Sequence, residues 1–497
     1  MNRTTLSLAA GTAALAAVTA FAAVTTPAAS GAPAPRTTAR LPVERTGLLC
    51  PAPSDSDIAD TTYTSFTPVT EGAAHTGSAR FVAAGGETAG SGKGKAGKAK
   101  ATPPVLTPKA PGTPATGDTS GAAPALAGTA DGGFAPGWTV QETTEIAAGT
   151  GRGLQGVGCT GADTEFWFPG AATAAGRTDY VHLTNPDDST AVVDIELFGP
   201  DGAIKSPLGE NLTVRPHTSK AFLLPTLTDE RQADLTVHVG VRSGRVGAAV
   251  RALDDKTGGD WLAAAADPAG SLVLPGIPKD ATDVRLIAFT PGDDDADLKI
   301  RLASPDGLIT PAGNETLHVK SGMTGAVDLG DVTRGEAGSL VLTPTGRPVP
   351  VVAALRVVRG KGDKKETAFI PATAPVGARA TAADNRAKHA TLALTAPTAT
   401  ATVEVTASAG SEGGTPVTKT YTVKPGTTED ITDLVPGGLR GTYALTVRTE
   451  SGGPVYAART LTASGTDVAA FTVQTLADDH GTVAVPETRE DLSVLQK

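Results

Sequence analysis

The chain has 497 residues and a formal net charge of −10 from 42 basic and 52 acidic side chains. That is room for three or four domains at roughly 100–200 residues each, and the acidic balance excludes the basic face of a nucleic-acid-binding domain. With 59 Gly and 37 Pro the chain is not mainly helical, at 4% aromatic its cores are aliphatic, and two cysteines allow one bridge but no tetrahedral thiolate zinc site.

Arg3 is followed by no further charge until Arg36, and Leu6 to Val24 is an Ala-rich apolar run. Residues 1–32 therefore read as a signal peptide cut after Ala22 or Ala32, or as a retained signal anchor. Either places the mature chain in the secreted fraction or on the extracellular face of the cell envelope. Residues 41–170 read as a degenerate N-terminal β unit, with strands near Leu48-Leu49, Thr62–Pro68, Arg80–Ala84 and Gly137–Ile146, and Phe166–Gly170 as its last strand. A low-complexity run at 85–128, with Lys93, Lys95, Lys98 and Lys100, interrupts the unit and reads as a disordered loop, because it has too few apolar residues to offset chain ordering. Cys50 and Cys159 flank that loop and are expected to form a disulfide. Closing a loop of about 110 residues is worth roughly 4–5 kcal/mol in the chain-entropy treatment.

From Tyr180 onward the chain repeats. Thr184-Asn185-Pro186, Phe289-Thr290-Pro291 and Thr395-Ala396-Pro397 place their prolines 105 and 106 residues apart. The following strand recurs in phase as Val193, Ile195, Leu197, then Leu298, Ile300, Leu302, then Val403, Val405, Ala407, with polar residues between. Alternation at period two is the mark of a half-buried strand. Pro200-Asp201-Gly202 and Pro305-Asp306-Gly307 are turns closing it, and a later strand carries Ala-Ala-x-Arg ending at Arg251 and Arg356, with Ala457-Ala458-Arg459 in the third unit. Leu272–Pro275, Ala368–Pro371 and Val483–Pro486 read as last strands. About seven short strands per unit predict an all-β chain of tandem immunoglobulin-like sandwiches at 177–276, 281–372 and 386–486. A period this long predicts beads in a row, each burying its own core.

Few residues point to chemistry. Gly151-Arg-Gly153-Leu-Gln-Gly156 spells a dinucleotide fingerprint, but no helix can follow it, so it reads as a glycine-rich hairpin. Gly92–Ala99 nearly spells a phosphate-binding loop, with Ala99 where a magnesium-holding hydroxyl belongs. Asp293, Asp294, Asp295 and Asp297 offer oxygen ligands at a spacing that suits a turn better than calcium. No histidine recurs at the repeat spacing, and His182 reads as a strand-surface residue. The outward arginine of each Ala-Ala-x-Arg strand suits a pair with a neighbouring acid. No catalytic, cofactor or metal site is expected, and Cys50 and Cys159 are the only assigned pair.

Cys50-Pro51, Trp167-Phe168-Pro169-Gly170 leading to Leu183-Thr184-Asn185-Pro186, and Val192-Val193-Asp194 resemble an uncharacterised family of exported actinobacterial proteins. The resemblance spans nearly all the mature chain and implies an envelope location and no activity. The expectation is an exported, non-enzymatic, multi-domain protein that serves as a structural or interaction module of the envelope, its partner an envelope protein or a wall polymer. The alternative is a carbohydrate- or wall-polymer-binding protein whose platforms would come from Trp138, Trp167 and Trp261.

Overall fold

A computed structural model describes residues 39–86, 103–463 and 470–485. The expected signal segment 1–32 and the lysine run at 93–100 lie outside them. Among the described residues, apart from four short 3₁₀ turns, the regular structure is β with no α-helix, antiparallel except where Gly85–Gly86 pairs in parallel with Thr218–Ser219. A small separate unit contributes the ribbon of Ala39–Pro42 with Thr482–Val485. Residues 483–486 were expected to close the last sandwich, so this pairing corrects that strand.

Residues 42–482 form one compact body built of four sandwiches. In the N-terminal sandwich, strands Arg45–Cys50, Leu126–Asp131 and Ala79–Ala83 face a sheet of Ala115–Ser120, Ala59–Phe66, Thr139–Ile146 and Gly153–Gly158. Tyr63, Phe81, Leu126 and Trp138 fill the space between. The alternating strands of the three repeats fold as their period dictates, with Val193, Leu298, Ile300, Val403 and Val405 all 0–1% exposed. Cys50 and Cys159 are joined across the N-terminal sandwich.

Two expectations about this region are corrected. First, the described part of the loop expected at 85–128 supplies the short strand 85–86 and two longer ones, 115–120 and the start of 126–131. The last of these packs against the core. Its inward positions are Leu126, Gly128 and Ala130, which carry little apolar signal. A Cβ on Gly128 would lie 2.6 Å from the Phe81 ring and 2.7 Å from the Trp138 ring, so large rings from outside this strand fill the space that it leaves. Second, Glu165–Ala171 pairs with Leu235–Ser243 and Leu272–Ile277 with Gly338–Pro344. Each opens the sandwich that follows it, where the repeat had placed it as the last strand of the one before. The Pro-Gly pairs read as terminators, but Gly170 (φ +108) and Gly276 (φ +80) sit in register shifts of these opening strands. Left-handed glycines commonly mark such bulges. The closing strands of the four sandwiches are Gly153–Gly158, Gly258–Leu262, Glu366–Pro371 and Phe471–Leu476.

The sandwiches are not beads. Their closing strands touch in cyclic order, 153–158 against 258–262, then 366–371, then 471–476, which returns against 153–158. Each opening strand lies on the next sandwich in the same sense. Glu165–Ala171 packs on Val352–Arg359, Leu272–Ile277 on Tyr456–Thr462, and Arg379–Asn385 on Thr139–Ile146. Leu49 of the first opening strand rests on Gly247, where an added Cβ would approach within 2.9 Å. This is the physical reason for the recurring Ala-Ala. One alanine of each pair, such as Ala353 or Ala457, faces its own core, and the other, Ala354 or Ala458, belongs to the core of the preceding sandwich. The ring closes because small residues let neighbouring sheets approach within contact distance.

Candidate functional site

Several buried polar groups lie on the closing strands or on the strands beside them. Glu142, Arg251, Arg356 and Arg459 occupy one register on the strands next to the closing strands, opposite Tyr63, Tyr180, Arg285 and Leu392. As expected, the arginines turn away from their own cores. Arg251 donates to the Pro53 carbonyl at 3.0 Å, lies 3.5 Å from the Asp55 carboxylate and covers the Tyr180 ring. Arg459 donates to Gln474 Oε1 at 3.0 Å, and burial pulls its guanidinium down to about 10. Glu142 is fully buried and neither carboxylate oxygen has a hydrogen-bond partner among the described residues, so desolvation pushes its pKa well up.

Two further carboxylates tie sandwiches together. Asp260 accepts from the Gly156 N–H at 2.9 Å and from Thr472 Oγ1 at 3.1 Å, joining the second sandwich to the first and fourth. Burial raises its pKa well above the ordinary value despite those bonds. Glu366 of the third sandwich sits 3.4 Å from Arg152 Nε, and Arg152 Nη2 donates to the Lys256 and Lys365 carbonyls at 2.8 and 3.1 Å. A Cβ on Gly153 or Gly258 would fall 2.3 or 2.6 Å from Glu366 Oε2, so both positions require glycine. Burial raises Glu366 to about 7, only partly offset by Arg152. Asp260 and Glu366 are enclosed, and their contacts to Gly156, Thr472 and Arg152 run between sandwiches.

The other concentration of charge is accessible. A cleft of about 830 Å³ lies between the three-stranded sheet of the N-terminal sandwich and loops of the second. Because strand side chains alternate, Leu48, Cys50, Ala79 and Phe81 point inward while Arg45, Gly47, Arg80 and Val82 line the cleft. Arg45 and Arg80 are exposed, and among the described residues neither has an ion-pair partner. The far wall carries Arg245, whose Nε and Nη2 grip Asp187 at 3.0 Å, and His217, whose Nε2 lies 2.7 Å from Asp188. His217 has φ +55, and its carbonyl accepts from Gly85 N–H at 2.8 Å.

The residues singled out in the sequence divide as follows. The Gly151–Gly156 run is the hairpin joining Thr139–Ile146 to Gly153–Gly158, with no helix after it. Asp294 is taken by Arg347, Asp297 by His318 at 2.8 Å, and Asp295 by the Ser321 N–H at 2.9 Å. His182 is not a surface residue. It lies edge-on to Trp261 where the first two sandwiches meet, and burial lowers its pKa to about 3. Trp138, Trp167 and Trp261 are 3%, 7% and 2% exposed, so none offers a platform for a sugar ring. The cleft arginines were missed because the sheet that carries them was read in part as a disordered loop. The alternation Ala79-Arg80-Phe81-Val82 was the available signal.

No curated protein matches the chain. Residues 115–433, from the fourth-last strand of the N-terminal sandwich into the fourth sandwich, match the family described as "Family of unknown function (DUF5719)", and the chain belongs to that family.

Proposed function

We propose that the protein is exported and works without catalysis as a rigid binding module at the outer face of the cell envelope. The observation that carries this reading is the division of its polar groups. Buried polar groups join the four sandwiches into one body, and unpaired cations are left on a concave face whose two walls come from different sandwiches. Ligand contacts set on a rigid β scaffold are a recurrent way to recognise a partner. The apolar run at Leu6–Val24 and the Cys50–Cys159 disulfide support export, since disulfides persist in oxidising compartments. Among the two partner types, a wall polymer is favoured by the open cleft, and recognition through aromatic platforms is disfavoured by the three buried tryptophans.

The test is sedimentation of the mature chain with envelopes isolated from the producing bacterium, together with protease accessibility of the native protein on intact cells. Saturable co-sedimentation and surface cleavage are expected. A chain that stays in the supernatant, or that resists protease until cells are lysed, would refute the reading.

A further inference from the structure

We propose that the cleft between the first two sandwiches binds a linear polyanion whose charges are phosphodiesters, of the polyol-phosphate class. The inference rests on the reading of the chain as an envelope-binding module and adds the chemistry of its ligand.

Arg45 and Arg80 stand on the outer strands of a three-stranded sheet, one strand apart from each other across Leu126–Asp131. Register places Arg80 level with Gly47, two residues along from Arg45. Strand spacing and rise then set their Cα atoms about 12 Å apart. Arg245 faces them from the other wall with its orientation fixed by Asp187. Cations separated this way on rigid strands suit successive charges along a chain better than one small anion. Guanidinium forks match the oxygens of phosphate and carboxylate alike.

The floor decides between those. It is formed by Gly47, Val82 and Ala127, small and without an aromatic face. Polymers built of pyranose rings are usually held by stacking, which this surface lacks, whereas an acyclic polyol backbone needs only a smooth apolar floor between its phosphates. The overall charge of −10 makes the unpaired arginines the attractive feature for such a ligand, since the remainder of the molecule repels it. Many exposed arginines elsewhere are already paired, as Arg242 is with Asp194 and Arg347 with Asp294.

The experiment is isothermal titration of the mature chain with delipidated polyglycerol phosphate, polygalacturonate and dextran at two salt concentrations. Binding to polyglycerol phosphate that weakens with salt is expected, with at least a tenfold loss in the R45A/R80A double variant. The same loss is expected in R45Q/R80Q, which retains most of the side-chain bulk, and none in R347A or in a variant lacking residues 87–102. Unchanged melting temperatures show that the variants fold. Absence of binding, equal binding to polygalacturonate, binding to dextran, or full affinity in both double variants would overturn the inference. Loss of affinity on removal of 87–102 alone would overturn it too, by assigning the charge to the lysine run. If the double variants still co-sediment with envelopes, the envelope-module reading stands and this ligand assignment falls.

Discussion

The carboxyl of Glu366 allows a quantitative test of the polar hub. Its side chain is 2% exposed, and burial raises its pKa from 4.5 to about 7 against the opposing effect of Arg152. A carboxyl raised in the folded state favours folding when protonated. Its contribution is therefore fully present below about pH 4.5 and is lost as pH rises through about 7. Integrating the proton linkage between pH 5 and pH 8 for these two values gives a loss of about 2.5 kcal/mol from this one group. Glu366→Gln keeps the shape and leaves Arg152 its carbonyl partners at Lys256 and Lys365, but removes the titration. Guanidinium unfolding of both proteins at pH 5, 6, 7 and 8 isolates the contribution of Glu366, because Asp260 and Glu142 titrate in both. The variant should match the wild type near pH 5 and exceed it by about 2–3 kcal/mol at pH 8. Parallel pH profiles, or a wild type that gains on the variant as pH rises, would show that Glu366 is solvated and that the hub is not closed.

Three further outcomes follow from the packing. Ile300→Asp places a carboxylate at a fully buried position of the third sandwich and should cost several kcal/mol, read as a lowered unfolding midpoint; a midpoint unchanged within error would contradict the assigned inward face. Cys159→Ala opens the loop back to Cys50, 109 residues away, and should lower stability by about 2–5 kcal/mol, with a free thiol then titratable at Cys50. Deleting residues 87–102 should leave the melting temperature within a few degrees, since closure entropy varies slowly with loop length. Extending that deletion to Pro111 should destabilise the protein clearly, because it removes Leu106, which is 3% exposed and bridges the Phe81 backbone.

The closed ring also changes what the repeat means. Phe369 and Ala354 of the third sandwich complete the core of the second, and Phe471 and Val473 of the fourth complete that of the third. Asp384 of the fourth accepts from Thr143 of the first at 2.8 Å, closing the circuit. A sandwich cut out at the repeat boundaries would expose one face of its neighbour's core, so the four units share stability in a way that independent domains do not. The same closure holds the two walls of the cleft at a fixed separation.

Much of this was legible in the residues. Period-two alternation at Val193–Leu197, Leu298–Leu302 and Val403–Ala407 specifies half-buried strands by local geometry alone, and the pairing of the only two cysteines follows from their number. The small pair Ala-Ala ahead of an arginine signals close sheet contact before any partner sheet is known. What the chain does not display locally is the partner. Whether Leu272–Ile277 closes one sandwich or opens the next depends on a hydrogen-bonded strand some 65 residues further on, and Pro275-Gly276 reads equally well as an end or a bulge. Strand 126–131 has no visible apolar face because the rings of Phe81 and Trp138, carried outside the strand, occupy its share of the core. The cleft is likewise a product of assembly. Arg45, Arg80 and Arg245 are unremarkable singly, and only ring closure brings strands of one sandwich opposite loops of another with two of those charges left unpaired.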